Sequence, residues 1–331
     1  MATLIDKLIQ NAQDAPKRVA LPECEAEKTL LAARHVLDEG IGMPVLVSPR
    51  SVIEETAARA GVSLEGMEIV DNADEAAADA LAERYMSSGP RLISAKGSRR
   101  KIKNPMYYAM MKEELGDVDC TFCGHVNTTG DVLMAAQTVI GLAEGVDVPS
   151  ILALVDTPAF EGPEGSVIAF TDCGLNPEPT ATELASIAIS AADNVRSIMG
   201  WEPRVAFLSF STDGSGAGTS VDRVREAIEL ARGRRADLAI DGEFQLDAAI
   251  DPAVAAKKVK HESGVAGRAN VLVFPDLNAA NIAVKLIQRF AHGAAYGHNL
   301  SGFKCPVADS SRGATVDEIV GDIAMLVLSA R

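Results

Sequence analysis

Apolar residues along the chain alternate between helical spacing and short continuous runs. Leu4, Ile5, Leu8 and Ile9 repeat with the spacing of one helix face, and the apolar run at 18–23 predicts a strand. The alternation continues with helices predicted at 27–37, 52–60 and 74–85 and strands at 43–47 and 66–70. Strands that alternate with helices predict a parallel sheet covered by helices on both faces.

A change in this pattern near residue 147 predicts a second domain. Before this position we predict a helix at 105–115, a strand at 118–122 and a helix at 128–142. After it, strands predicted at 149–155 and 167–171 are joined by a Pro/Gly turn, which predicts an antiparallel hairpin. A second series follows, with helices at 182–199, 221–232 and 277–290 and strands at 205–209, 238–241 and 270–274. The tail from residue 293 offers one weak strand around Phe303 and one helix, too little for a third domain, so we expect it to pack on an earlier one.

Composition and charge narrow the class of protein. The 331 residues are 47% hydrophobic, which suits a large aliphatic core, and 31 basic against 46 acidic residues give a net charge of −15. Such a charge disfavours a nucleic-acid or anionic-membrane partner. The N-terminal residues lack the features of a signal peptide and no uncharged apolar run reaches about 18 residues, so we expect a cytoplasmic protein.

Cysteines and histidines give no sign of a metal centre. The five cysteines are scattered, and Cys120 and Cys123, although spaced as CxxC, lie in a strand-like stretch, which favours structural thiols. The five histidines lack metal-ligand spacing. We therefore predict no metal and no histidine-based triad.

One basic segment stands out in this acidic chain. Between Gly89 and Asn104 the apolar periodicity fails while six lysines and arginines accumulate. The segment is either a solvated surface loop or one wall of a site for a polyanionic ligand.

Four loops carry polar residues where a strand ends or a helix begins. Such loops can bind ligands in open α/β sheets, but the same residues also cap helices and form turns. In 308–319, small residues and Arg312 precede a helix start, a combination that suits a phosphate. The others are Ser209–Thr219, which matches neither a dinucleotide nor a Walker motif, the carboxylate-rich 241–247, and 274–281 with Asp276, Asn278 and Asn281.

These segments together resemble the phosphate acyltransferases of the acetyl/butyryl type. The matching residues are Ala20-Leu-Pro-Glu23, Ser209-Phe-Ser-Thr212, Asp241-Gly-Glu243 with Gln245 and Asp247, Val265-Ala-Gly267 with Ala269-Asn270, Phe274-Pro-Asp-Leu-Asn278 with Asn281, and Ser311-Arg-Gly313. The resemblance implies a two-domain α/β architecture like that of isocitrate and isopropylmalate dehydrogenases, with mainly parallel sheets and coenzyme A in a cleft between domains. It implies a first domain of 1–147 plus 295–331, a second of 148–294, and a homodimer.

The resemblance also implies a reaction and a set of site residues. A carboxylate takes the thiol proton of coenzyme A, and the thiolate attacks an acyl phosphate directly, so no tightly bound cofactor is expected. Ser311 and Arg312 match the catalytic Ser-Arg pair, and Glu318, with Asp317 beside it, stands where the family places its base. The implied substrate-binding residues are Thr128, Thr129, Arg84, Asn281, Asp309, Ser211, Thr212 and Gly313.

Two positions depart from the family pattern. Leu133-Met134-Ala135 stands where the family has Leu-Arg-Pro, and Asp213 stands where it has lysine. Basic residues at 91–103, or Arg84, are candidates to replace the missing cation. The acyl group is most simply acetyl, with propionyl, butyryl or another group as alternatives. A non-catalytic relative that binds coenzyme A or acyl phosphate is a further alternative, whereas a nicotinamide-dependent dehydrogenase would need a dinucleotide site and metal-binding aspartates that the sequence lacks.

Overall fold

The computed structural model describes residues 3–297 and 299–330 and divides the chain into two compact units. The first unit comprises Met1–Leu142 and His298–Arg331, and the second comprises Ala143–Gly297. No helix in the described ranges is both long and apolar enough to cross a membrane.

The first unit is a mainly parallel sheet with helices. Its strands lie in the order β3-β2-β1-β4-β13-β12, and every pairing is parallel except that of β12 with β13. The strands are β1 (Lys17–Leu21), β2 (Gly42–Val47), β3 (Glu68–Val70), β4 (Cys120–Cys123), β12 (Asn299–Ser301) and β13 (Val307–Asp309). The helices are α1 (Leu4–Gln13), α2 (Glu27–Asp38), α3 (Arg50–Ala60), α4 (Glu75–Ser87), α5 (Ala95–Lys101), α6 (Pro105–Glu114), α7 (Thr129–Val139) and α13 (Val316–Ser329).

The second unit has a mixed sheet in the order β11-β6-β7-β10-β8-β9. The pairs of β6 with β7 and β11 are antiparallel and the others are parallel. The strands of this sheet are β6 (Ala153–Asp156), β7 (Val167–Thr171), β8 (Arg204–Leu208), β9 (Ala239–Phe244), β10 (Val271–Val273) and β11 (Ala294–Tyr296). The unit also contains the two-residue strand β5 (Ser150–Ile151), which is not part of this sheet. The helices are α8 (Ala181–Met199), α9 (Thr219–Arg234), α10 (Leu246–Ile250), α11 (Pro252–Lys258) and α12 (Leu277–Phe290).

The predicted α/β class with mainly parallel sheets is confirmed, and so is the hairpin of β6 and β7. The central strands of both sheets are short runs of buried aliphatic residues, as in Val19-Ala20-Leu21 and Val271-Leu272-Val273. Strands covered on both faces are expected to show such continuous apolar runs.

The reading of the basic segment as irregular was wrong, because it contains α5. Ser94 caps this helix by accepting a hydrogen bond from Gly97 N at 3.2 Å. Its seven residues, Ala95–Lys101, include no large apolar side chain, so no periodic stripe could reveal it.

The strand content of the tail was predicted wrongly, because its described part from residue 293 contains three strands, β11, β12 and β13, instead of one weak strand around Phe303. Phe303 forms only an isolated bridge with Leu142, and β12 and β13 lie on either side of it. Each of these two strands is three residues long, which is too short to show an alternation of apolar and polar residues. β13 pairs with β4 in the first unit, and α13 packs against α1 and α2.

Candidate active site

The Ser311 loop, Ser310–Thr315, connects β13 to α13 in the first unit. Asp309 and Ser310 are buried, and Ser310 N donates to Cys123 O at 2.7 Å, whereas the next three residues, Ser311–Gly313, are exposed. Ser311 O accepts from Ala314 N at 3.0 Å, and Ser311 Oγ accepts from Gly313 N at 3.3 Å. The loop is thus a hydrogen-bonded turn that carries the Ser311 and Arg312 side chains at the surface of the unit.

The predicted bases lie in the first turn of α13. Thr315 is its N-cap, and the carboxylate of Glu318 accepts from Thr315 N at 2.8 Å and from Thr315 Oγ1 at 3.1 Å through Oε2. This capping box holds the Glu318 side chain against Thr315, the last residue of the Ser311 loop, with exposed Asp317 beside it.

A glycine allows β4 to approach the Ser311 loop closely. Gly124 has a φ of +92°, and a Cβ at this position would lie 2.2 Å from Asp309 Oδ1 and 2.6 Å from Ser310 N. Any larger residue would displace the segment that leads into Ser311.

The Gly124–Asn127 loop that follows β4 wraps around the buried carboxylate of Glu23. Oε1 accepts from Gly124 N at 3.0 Å, Asn127 N at 2.9 Å and Asn127 Nδ2 at 2.7 Å, and Oε2 accepts from His125 N at 2.7 Å and Val126 N at 3.1 Å. Four consecutive backbone N–H groups that converge on one anion form a stable nest. Thr128, the N-cap of α7, and Thr129 follow directly.

Two further side chains contact the Ser311 loop, and sequence reasoning missed both. Lys28 on α2 donates to Ala314 O at 2.7 Å, and His125 lies with Nδ1 3.2 Å from Ser311 O. His125 is one of the five histidines that lack metal-ligand spacing in the sequence. These contacts join residues 286 and 186 positions apart in the chain, so no local pattern could indicate them.

Several cations that could replace the missing family arginine are already paired. Arg84 makes two 3.0 Å hydrogen bonds to Asp117, which raise the pKa of Arg84 and lower that of Asp117. In the basic segment, Arg91 lies 2.6 Å from Glu114 in a mostly buried pair and Arg99 lies 3.2 Å from Glu83. Lys96, Arg100 and Lys103 are exposed, and no ion pair to them occurs within 3–297 and 299–330. Met134, on α7, is 59% exposed.

The Ser211 loop, Ser209–Gly218, follows β8 in the second unit and has the side chains of Ser211 and Thr212 turned inward. Ser211 is 0% exposed, and its Oγ donates to Glu243 Oε1 at 2.7 Å and accepts from Gly216 N at 2.8 Å. Thr212 is also buried and accepts from Gln245 N at 2.8 Å. The structure therefore places both predicted substrate-binding residues where they hold the loop to Glu243 on β9 and to Gln245 directly after it.

Glu243 is the electrostatic centre of this region. Burial opposes its ionisation, but hydrogen bonds from Arg225, Ser211 and Gly214 outweigh that effect and lower its pKa from 4.5 to about 2. Arg225 binds both carboxylate oxygens, at 2.9 and 3.0 Å. A bidentate pair of this kind holds the carboxylate rigidly and charged.

Asp213, which replaces the family lysine, faces a histidine. His261 Nε2 lies 2.9 Å from Asp241 Oδ2, and its Nδ1 lies 3.5 Å from Asp213 Oδ1. The hydrogen bond to Asp241, followed by charge from both aspartates, raises the pKa of His261 despite partial burial. The negative charge of Asp213 is thus directed toward His261.

Asn281, the remaining predicted site residue, is exposed on α12. Its Nδ2 lies 3.5 Å from Cys173 O, and Asp276 caps the same helix through Ala279 N. In the described residues no group of three or more His, Cys, Asp and Glu side chains has the geometry of a metal site; His298 lies outside those residues.

Comparisons with known proteins agree on one family. The family model described as "Phosphate acetyl/butaryl transferase" matches residues 3–327. The phosphate acetyltransferases of Clostridium acetobutylicum and Treponema pallidum are each 40% identical to this chain, over 99% of it and over 98% and 99% of their own lengths. The EutD phosphotransacetylase of Staphylococcus aureus superposes with a TM-score of 0.89 at 30% identity, with all of both chains covered. The chain belongs to the phosphate acetyl/butyryl transferase family.

Proposed function

We propose that this protein transfers an acyl group, most simply acetyl, between coenzyme A and inorganic phosphate. The observation that carries the proposal is the Ser311 loop, a turn with a fixed main chain and exposed Ser311 and Arg312 side chains, in a chain with full-length phosphate acetyltransferase relatives. Coenzyme A and phosphate are the partners, the protein needs no resident cofactor, and it works in the cytoplasm.

The proposed reaction is a direct displacement. The base takes the proton of the coenzyme A thiol, the thiolate sulfur forms a bond to the carbonyl carbon of the acyl phosphate, and the C–O bond to phosphate breaks. The products are acyl-coenzyme A and inorganic phosphate, and the reverse reaction uses the same groups. Arg312 binds the phosphoryl oxygens and Ser311 donates to the reacting centre, where charge develops.

The base is a carboxylate at the start of α13. Glu318 is our first choice because its position is fixed by the Thr315 cap through Oε2, which leaves Oε1 for the thiol proton. Asp317 is the alternative. Glu318→Gln should lower kcat at least 100-fold while Asp317→Asn changes it little, since a general base contributes about 10²–10⁴. The reverse result would assign the base to Asp317.

The unpaired cations of the basic segment supply contacts for the phosphates of coenzyme A. Arg100→Ala with Lys103→Ala should raise the KM for coenzyme A and leave that for acyl phosphate unchanged. The Arg99→Ala variant is the matched control because Arg99 already binds Glu83. Equal effects of both changes would contradict this assignment.

The test of function is a thiol-consumption assay with coenzyme A and acetyl, propionyl and butyryl phosphate. Background from the protein should be small, because burial raises the pKa of all five cysteine thiols. We expect acetyl phosphate to be preferred and Ser311→Ala and Arg312→Ala to be nearly inactive. A wild-type protein that binds coenzyme A but consumes none of the three would instead be a non-catalytic relative.

Met134 bears on the choice of acyl group. An exposed thioether in place of an arginine leaves an apolar surface that a longer acyl chain could cover. Met134→Arg should therefore favour acetyl over butyryl phosphate in kcat/KM. An unchanged ratio would show that Met134 does not contact the acyl group.

We also propose a homodimer that uses the apolar face of α12. Ile282, Leu286 and Phe290 recur every four residues on one side of this helix and are 56%, 50% and 81% exposed. Leu286→Glu should produce monomers in sedimentation velocity, whereas Lys285→Glu on the adjacent side should not. A dimer that survives Leu286→Glu would place the interface elsewhere.

A further inference from the structure

The Gly124–Asn127 loop connects a fully buried carboxylate to the reactive segment. Glu23 is 2% exposed, and five N–H groups of this loop donate to it. These bonds fix four successive peptide planes and with them the direction in which the His125 side chain leaves the loop. Glu23 itself has no hydrogen bond to the Ser311 loop within the described residues.

His125 carries the connection to Ser311. A carbonyl oxygen can only accept, so the 3.2 Å contact requires a proton on His125 Nδ1. Ser311 O therefore accepts two hydrogen bonds, from Ala314 N within its own turn and from His125 outside it. The second bond ties the turn to the Gly124–Asn127 loop and fixes the peptide plane between Ser311 and Arg312.

We propose that Glu23 and His125 are positioning residues that set the main chain of Ser311 for acyl transfer. The proposal rests on the function given above. Glu23 holds the Gly124–Asn127 loop, His125 projects from that loop, and its Nδ1–H holds Ser311 O. Neither residue exchanges a proton with substrate.

An isosteric pair of variants tests this role. In His125→Asn the amide Nδ2 takes the place of Nδ1 and keeps the donor, whereas His125→Leu has a similar shape and no donor. One lost hydrogen bond corresponds to a loss of about two- to tenfold in kcat. We expect that loss in the Leu variant with little change in either KM, and a rate within about twofold of wild type in the Asn variant. His35→Leu, at a partly exposed position on α2, is the matched control and should leave kcat unchanged.

Two outcomes would overturn the proposal. If both His125 variants keep the wild-type kcat, the contact does not matter for transfer. If both lose activity equally and the acidic limb of the pH–rate profile disappears, the imidazole acts on substrate directly and is not a positioning group.

Amide hydrogen exchange gives a readout that is independent of activity. The Leu variant should exchange faster than the Asn variant at 312–314, with similar rates in the rest of the first unit. If wild type shows no acyl transfer, the proposed function fails, while the exchange difference still decides whether His125 holds the loop.

Glu23→Gln tests the other end of the connection. The side-chain NH₂ of the glutamine cannot accept hydrogen bonds from the N–H groups that it would face. Amide hydrogen exchange should therefore become faster at 124–127 and also at 312–314, and kcat should fall. Faster exchange at 124–127 alone, with normal kcat, would show that Glu23 stabilises only its own loop.

Discussion

The Ser211 loop and the Ser311 loop both follow a buried strand and both contain a serine beside small residues, yet they are held in opposite ways. In the Ser211 loop the side chains are anchored, because Ser211 Oγ and Arg225 both bind Glu243. In the Ser311 loop the main chain is anchored, through Ser310 N, Ser311 O and Ala314 O. The side chains of Ser311 and Arg312 remain exposed.

This difference separates a structural loop from a reactive one. A hydroxyl that already donates to a buried carboxylate cannot donate to a ligand without breaking that bond. A loop fixed by its carbonyl and amide groups keeps its side chains available and in a defined direction. The two serines should therefore differ sharply when they are changed.

The largest expected effect comes from the charge on the reactive loop. Arg312→Ala should lower kcat about 10²–10³-fold, the usual loss when a group that stabilises transition-state charge is removed. The thiol-consumption assay measures this, with urea unfolding as a check that stability is unchanged. A loss below tenfold would remove Arg312 from the proposed mechanism.

Alanine at the two serines should separate activity from stability. Ser311→Ala should reduce kcat and leave the free energy of unfolding within about 0.5 kcal/mol, as for other exposed sites. Ser211→Ala should lower that free energy by about 2 kcal/mol, because it removes a hydrogen bond to a buried charged group. If Ser211→Ala instead affects the KM for substrate without loss of stability, the comparison between the loops fails.

Acid should destabilise the Ser211 loop in a defined pH range. The folded-state pKa of Glu243, about 2, lies below its ordinary value of 4.5, so ionised Glu243 stabilises the fold above pH 4.5. That contribution is lost as pH falls from 4.5 toward 2. Circular dichroism during acid titration should show unfolding at a higher pH in Arg225→Gln than in wild type. Identical acid transitions would mean that this pair does not contribute.

The smallest expected effect concerns His261 and the middle of the Ser211 loop. Asp241 and Asp213 raise the pKa of His261. Protonated His261 therefore stabilises the fold below the ordinary histidine pKa of 6.5, and this contribution is lost as pH rises through the raised pKa. Amide exchange at 211–216 should quicken modestly between pH 6 and pH 9 after correction for intrinsic rates. His261→Gln should abolish this extra pH dependence; its persistence would locate it elsewhere.

The fold was largely predictable because its central strands are continuous apolar runs and its helices carry caps that can be read locally. Thr180 with Glu183 and Thr315 with Glu318 form capping boxes at the starts of α8 and α13. Prediction failed where an element was too short or too polar to show a periodic spacing of apolar residues, as in β12, β13 and α5.

The candidate site was less accessible to sequence reasoning. Ser311 and Arg312 were found through a family resemblance, and periodicity alone gave only a capped helix start. The bonds of Glu23 span 101–104 positions and that of His125 spans 186, so they depend on tertiary structure. The same limit explains why Arg84 and Arg91 looked available: their partners Asp117 and Glu114 are distant in sequence.

The position of β13 has a consequence for biosynthesis. This strand pairs with β4 in a sheet in which β1 to β4 all leave the ribosome more than 180 residues earlier, since β4 ends at Cys123 and β13 begins at Val307. The first unit must therefore wait, with one side of β4 unpaired, while the whole second unit is synthesised and can fold. The Ser311 loop enters with the strand that completes the sheet, so a nascent chain acquires its reactive segment only in the step that closes its fold.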